Sequence, residues 1–127
     1  MLDDLAGCRY ISLTTFRCDG TGASTPVWVV SDDGRRLLVW TGAETWKAKR
    51  IRREPRVLVA ESDFRGHELG PRREAQARLL GEDVRPLIVQ LLRRKYGWQR
   101  YALELQGALA RLARRTRGAG AAYIEIT

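Results

Sequence analysis

A chain of 127 residues, 44% hydrophobic and 30% charged, carries enough apolar material for one cored domain and is too short for two. Basic residues outnumber acidic ones 23 to 15, giving a net charge of +8 and an isoelectric point near 10.3. That balance suits a polyanionic partner, either nucleic acid or a small phosphorylated molecule, and the composition excludes a disordered chain.

The N-terminus, Met-Leu-Asp-Asp-Leu, lacks the basic and apolar regions of a secretory signal. No apolar run nears the ~20 residues that span a bilayer. The expectation is a single domain over residues 1–127 in the cytoplasm. Arg9 to Arg17 alternates and is rich in aromatic and β-branched residues, which predicts a first strand. Cys8 and Cys18 fall in this region, too far apart along one strand to bridge, and are expected as free, buried or half-buried thiols. Asp19-Gly20-Thr21-Gly22 signals a turn, and Ser24 to Ser31 returns as a second strand. Asp32-Asp33-Gly34 turns the chain again into a third strand, Arg36 to Thr41.

A basic helix over Glu44 to Arg53 follows, ended by Glu54-Pro55 because proline disfavours helical geometry in the residue before it. Arg56 to Ser62 reads as a fourth strand and Asp63 to Pro71 as a loop. Arg73 to Leu80 alternates charged and apolar residues, as a half-buried strand does. A helix is expected from an N-cap at Asp83, with Pro86 in its first turn, to Gly97. A second runs from Trp98 to Arg115 with Tyr101 on its apolar stripe. Ala122 to Thr127 closes the chain as a last strand. This order predicts a mainly β fold, a small antiparallel barrel with helices packed outside.

The stretch Thr41 to Pro55 carries the clearest chemistry. Small and hydroxylated residues (Thr41, Gly42, Thr45) precede five cations in seven positions: Lys47, Lys49, Arg50, Arg52 and Arg53. Hydroxyls, open backbone N–H groups and the positive end of a helix dipole together favour an anion. On a helical wheel Ala48 and Ile51 face inward and Lys47 flanks them near the helix start, while Lys49, Arg52 and Arg53 point further out. His67 is the sole histidine, and no cysteine–histidine cluster exists, so neither a zinc site nor a histidine triad has its parts.

Strand, Thr-Gly-Ala-x-Thr-x-Lys-x-Lys-Arg-Ile-Arg-Arg-x-Pro-Arg-Val, strand resembles the split β-barrels of the pyridoxamine 5'-phosphate oxidase-like family. More narrowly, it resembles the branch dependent on the deazaflavin coenzyme F-420. Tyr10-Ile-Ser-Leu-Thr-Thr-Phe and Thr25-Pro26-Val27-Trp28-Val29 are similar to that branch's first two strands. The resemblance implies a six-stranded antiparallel split barrel with the FMN-binding Greek key. It also implies a homodimer with cofactor sites at the interface, and hydride transfer to a conjugated small-molecule acceptor. By the same resemblance Thr41, Gly42, Thr45 and Lys47 fall on phosphate-contacting positions. Lys49 and Arg50 suit the acidic coenzyme tail, and Thr25, Pro26, Val27 and Trp28 line the ring. The flavin mononucleotide (FMN) enzymes of this superfamily carry an arginine on the second strand. Thr25-Pro26 stands there instead, which favours the longer, more acidic deazaflavin.

Two alternatives stay open: an FMN-binding split barrel, enzyme or carrier, and a basic nucleic-acid-binding barrel, for which Arg111, Arg114, Arg115 and Arg117 are the further argument. Tyr101 and Tyr123 are expected as core aromatics with a polar tip, His67 as a loop residue, and Trp46 as a cover for the cofactor or the dimer interface.

Overall fold

The computed structural model describes residues 2, 4–42, 46–96 and 121–127. Six strands form one antiparallel sheet: β1 (Tyr10–Phe16), β2 (Gly22–Trp28), β3 (Leu37–Gly42), β4 (Arg56–Ser62), β5 (Arg73–Leu80) and β6 (Ala121–Ile126). Two helices accompany them, α1 (Trp46–Arg53) between β3 and β4 and α2 (Arg85–Tyr96) after β5. The order across the sheet is β2-β1-β4-β5-β6-β3. Beyond β2, Val30 and Leu38 exchange two backbone hydrogen bonds of 3.1 and 2.7 Å, bringing the two outermost strands together. No ladder joins β2 to β3 above this bridge among the described residues, so the barrel is closed at one end and split at the other.

Alternation sorts the side chains. Ile11, Leu13, Val29, Leu37, Val39, Val57, Val59, Ala75, Ala77, Ile124 and Ile126 fill the barrel interior, and Ile51 of α1 joins them. Leu5, in a 3-10 turn at Leu5–Gly7, packs into the same core. A second cluster lies outside the barrel, where Ile88, Leu91 and Leu92 of α2 cover Val30, Leu38 and Tyr123. Local chemistry sets the turns. Gly20 takes φ +89° beside Asp19, whose Oδ1 accepts from the Thr21 N–H and hydroxyl. Asp33 Oδ1 likewise accepts from the N–H groups of Arg35 and Arg36.

The strand expectations hold within two residues at each end, apart from β2, which begins at Gly22 and ends at Trp28. Pro26 sits within it because this edge is open. Val30 N–H points to β3, and the period of two places the Pro26 nitrogen on that same side, where no ladder bond is lost. Asp83 is not the N-cap of α2. It lies inside a 3-10 turn, Glu82–Val84, that runs straight into the helix, and Gly81 precedes the turn. Nor do the cysteines share a strand: Cys8 precedes β1, and Cys18 lies in the following turn, where its thiol is exposed. The helix expected over Trp98 to Arg115, with Tyr101 and the C-terminal arginines, lies outside the described residues, as do Ala43, Glu44 and Thr45.

Two polar clamps tie the elements together. Lys95, near the end of α2, donates from Nζ to the carbonyls of Ala6, Cys8 and Val29 at 2.9, 2.6 and 2.7 Å. Burial pushes this ammonium down to about 8. Glu125 of β6 accepts from Arg36 and from Arg78 of β5, both at 2.8 Å. Its side chain is only 12% exposed, and the Arg36 guanidinium, helped by Arg78, holds its carboxyl below the usual range. A carboxylate with a lowered native pKa stabilises the fold above its unfolded value near 4.5 and loses that contribution as pH falls through the native value. Glu125→Gln is therefore expected to cost about 1–2 kcal/mol at pH 7. In urea melts the gap from wild type should close as pH falls below 4.5.

Candidate functional site

The split is the place where backbone edges and side chains of several elements meet without closing on one another. On β2 the inward register is Ala23, Thr25 and Val27, continued by Val29 just past the strand, and on β3 it is Leu37, Val39 and Thr41. Thr25 and Thr41 therefore face the barrel interior from either side of the opening. Thr41 is 6% exposed. The Thr25 hydroxyl is inaccessible to water and has no hydrogen-bond partner among the described residues, and the same is true of Thr15 on β1. Leu13 pairs with Thr25 and Thr15 with Ala23, so the two orphan hydroxyls are diagonal neighbours on the inner face. An unmet buried hydroxyl costs free energy, and these two lie side by side on the inner face.

The expected ring-lining stretch does not form one surface. Thr25 and Val27 turn inward, whereas Pro26 and Trp28 turn to the outer face. Trp28 packs edge-on against Tyr10 with ring centroids 6.3 Å apart and reaches the cluster beneath α2. Pro26 lies under the loop after β4: a Cβ on Gly66 would stand 3.3 Å from Pro26 Cδ. That loop is held by Asp63, which accepts from the N–H groups of Arg65 and His67, and by Gly66 at φ +90°. His67 is an exposed loop residue bonded to Asp63, as expected. The loop also brings Glu68 to Ser12, whose hydroxyl donates to it at 3.1 Å.

Helix α1 places the cations. Ala48 and Ile51 are buried, as the wheel requires. Lys47 is half-buried at their flank, five residues beyond Gly42 at the end of β3. Lys49 and Arg50 turn outward and stand over the Trp46 ring, at 5.1 and 5.7 Å. Trp46 is 68% exposed. No acidic residue lies in the first turn of α1, and Arg50, Arg52 and Arg53 fill its last turn, complementing the dipole. Thr45 lies outside the described residues.

Sequence reasoning missed Thr15 and Trp40. Thr15 continues the inward register Ile11, Leu13, and a hydroxyl at that position was the available signal. Trp40 lies on the outer face of β3, 6.1 Å from the Tyr123 ring and beneath the Arg85 guanidinium, and its indole N–H is buried without a partner among the described residues. Tyr123 is fully buried and donates to Glu82 at 3.2 Å, and burial pushes its phenol up. It is a core residue on the face away from the barrel interior. Among the described residues no group of three or more metal-ligating side chains occurs, and no helix is long and apolar enough to cross a membrane.

No family model matches the chain, and no curated protein matches it by sequence. Solved structures match its fold. A pyridoxamine 5'-phosphate oxidase-related, FMN-binding protein from Nostoc punctiforme is similar at TM-score 0.57 and 17% identity, over 96% of this chain and 71% of that one. HutZ, the heme storage protein of Vibrio cholerae, is similar at 0.60 and 13%, over 94% and 80%. An Agrobacterium tumefaciens protein is similar at 0.64 and 16%, over 97% of this chain, which spans about half (51%) of that one's length. These likenesses show the fold, a split β-barrel of the kind seen in FMN-binding proteins related to that oxidase.

If the orphan hydroxyls are kept for a ligand, the free protein bears their cost. Thr15→Val and Thr25→Val, close in shape, are each expected to raise stability by about 0.5–1 kcal/mol in denaturant melts without ligand. A loss of stability in both would show that the hydroxyls are satisfied.

Proposed function

We propose that this chain is an oxidoreductase that binds the deazaflavin coenzyme F-420 across the split and passes a hydride to a conjugated small-molecule acceptor. The observation that carries this reading is the unpartnered Thr25 hydroxyl on the inner face at the split, with the basic helix α1 following β3 in the chain. A flavin-type ring system presents carbonyl and ring nitrogen groups that a hydroxyl can meet. Thr25 and Val27 would line the ring on one side. Thr41, Gly42 and Lys47 would hold the phosphate, and Lys49 and Arg50 would meet acidic groups beyond it. The coenzyme supplies the hydride. The protein's part is to orient the ring against its inward strand register and to exclude water with the barrel core. Thr25 would contribute one hydrogen bond at the ring, and Lys47 a charge-assisted one at the phosphate.

FMN is the second reading, and the fold likeness to the Nostoc FMN-binding protein supports it. The charge distribution favours the deazaflavin. Strand β2, Gly-Ala-Ser-Thr-Pro-Val-Trp, carries no cation, whereas α1 carries five within seven residues. A cofactor whose negative charge extends well beyond its first phosphate uses that arrangement fully.

Titration with F-420 and FMN side by side is expected to give the tighter binding for F-420. Lys47→Ala should weaken it about tenfold or more, and Arg94→Ala should leave it unchanged. Equal affinities of wild type and Lys47→Ala would remove the phosphate assignment. The proposal includes a homodimer that completes the cofactor site. Light scattering at saturating cofactor should therefore give twice the chain mass, and a monomer would contradict the shared site.

A further inference from the structure

The side of α1 that faces away from the barrel has a composition of its own. With Ala48 and Ile51 buried, the opposite stripe is Trp46, Lys49, Arg50 and Arg53, spaced three, four and seven residues from the first. Trp46 opens it with an indole that is 68% exposed, and Lys49 and Arg50 stand over the ring. Arg53 closes it by donating to the Phe16 carbonyl, and Arg56 stands 4.7 Å over the Phe16 ring beside it. Arg50, Arg52 and Arg53 make no ion pair among the described residues. The ridge is thus an aromatic platform, a row of cations, and a second cation-capped ring at the far end.

The geometry points to a single-stranded nucleic acid as the occupant of this ridge. Its phosphates match the cations, and an unpaired base has a face to lay on Trp46. An acidic peptide would meet the charges but offer the indole nothing to stack on it. A duplex would meet the charges with its bases already paired. From Trp46 to Arg53 the helix rises about 10 Å at ~1.5 Å per residue. That is the length of about three nucleotides stacked at the ~3.4 Å per strand of a DNA helix. This inference goes beyond the cofactor reading: it shares Lys49 and Arg50 with the proposed coenzyme tail, adds Trp46 and Arg53, and uses neither Thr25 nor Lys47.

The test uses the full-length protein and fluorescence anisotropy with three labelled probes: a twelve-residue oligodeoxythymidylate, a twelve-base-pair duplex and a polyglutamate of equal charge. The single strand is expected to bind at least about tenfold more tightly than either other probe. With about three phosphates engaged, its affinity should fall about twentyfold between 50 and 200 mM salt. Trp46→Ala should cost about tenfold, and Trp46→Phe, which keeps a ring, should restore most of that. Thr25→Val should bind the strand as wild type does, which separates this surface from the split. Equal binding of the duplex or of polyglutamate would overturn the proposal, and so would a Trp46→Ala variant that binds the strand like wild type.

Discussion

Two hydrogen bonds between Val30 and Leu38 decide what kind of barrel this is. Without them β2 and β3 would be the two free edges of a curled sheet. With them the sheet closes at one point, and the edges part again only above it. Strand β5 makes the closure possible, because its first half pairs with β4 and its second half with β6. The interior can then be filled from all six strands, while one seam stays available to a ligand. An open seam is also an invitation to unwanted strand pairing. Pro26 blunts it on β2, and the Gly66 loop covers that proline from outside.

The same economy governs charge. Several carboxylates in the described structure are engaged by arginines on or beside the strands: Asp4 with Arg73, Asp32 and Glu125 with Arg36, Glu68 with Arg72, and Glu74 with Arg56. Strand surfaces are thereby near balance. Among the described residues, α1 gathers five cations into seven positions, and its first turn holds no acid. A bulk isoelectric point therefore understates how local the positive field is.

Most of the fold was legible because its signals are local. Alternation marked β1 and β5, the apolar run Val57 to Ala60 marked β4, and Pro55 set the end of α1. The wheel separated Ala48 and Ile51 from the outward cations. What escaped depends on partners distant in sequence. The Val30–Leu38 closure leaves no periodic trace, and only its consequence, a tolerated Pro26, appears in the sequence. Thr25 to Trp28 read as one lining segment, yet a strand shows alternate residues to opposite sides, so the segment divides between the split and the outer face. Thr15 looked like ordinary β-branched strand filler until its hydroxyl proved to have no partner. Asp83 has the composition of an N-cap, but the tighter turn around it moved the start of α2 to Arg85.

The Lys95 clamp bears on how the molecule opens. Its ammonium gathers carbonyls from the N-terminal turn and from the chain just before Val30, while Leu5 of that turn plugs the barrel core. The turn, the last turn of α2 and the closing end of β2 are thus joined through one nitrogen atom. Local fraying of the N-terminus, usual in a short segment, cannot proceed here without releasing a helix and loosening the barrel seam. The three become one cooperative unit, and amide hydrogens near Cys8 and Val29 acquire the exchange behaviour of the barrel instead of that of a chain end.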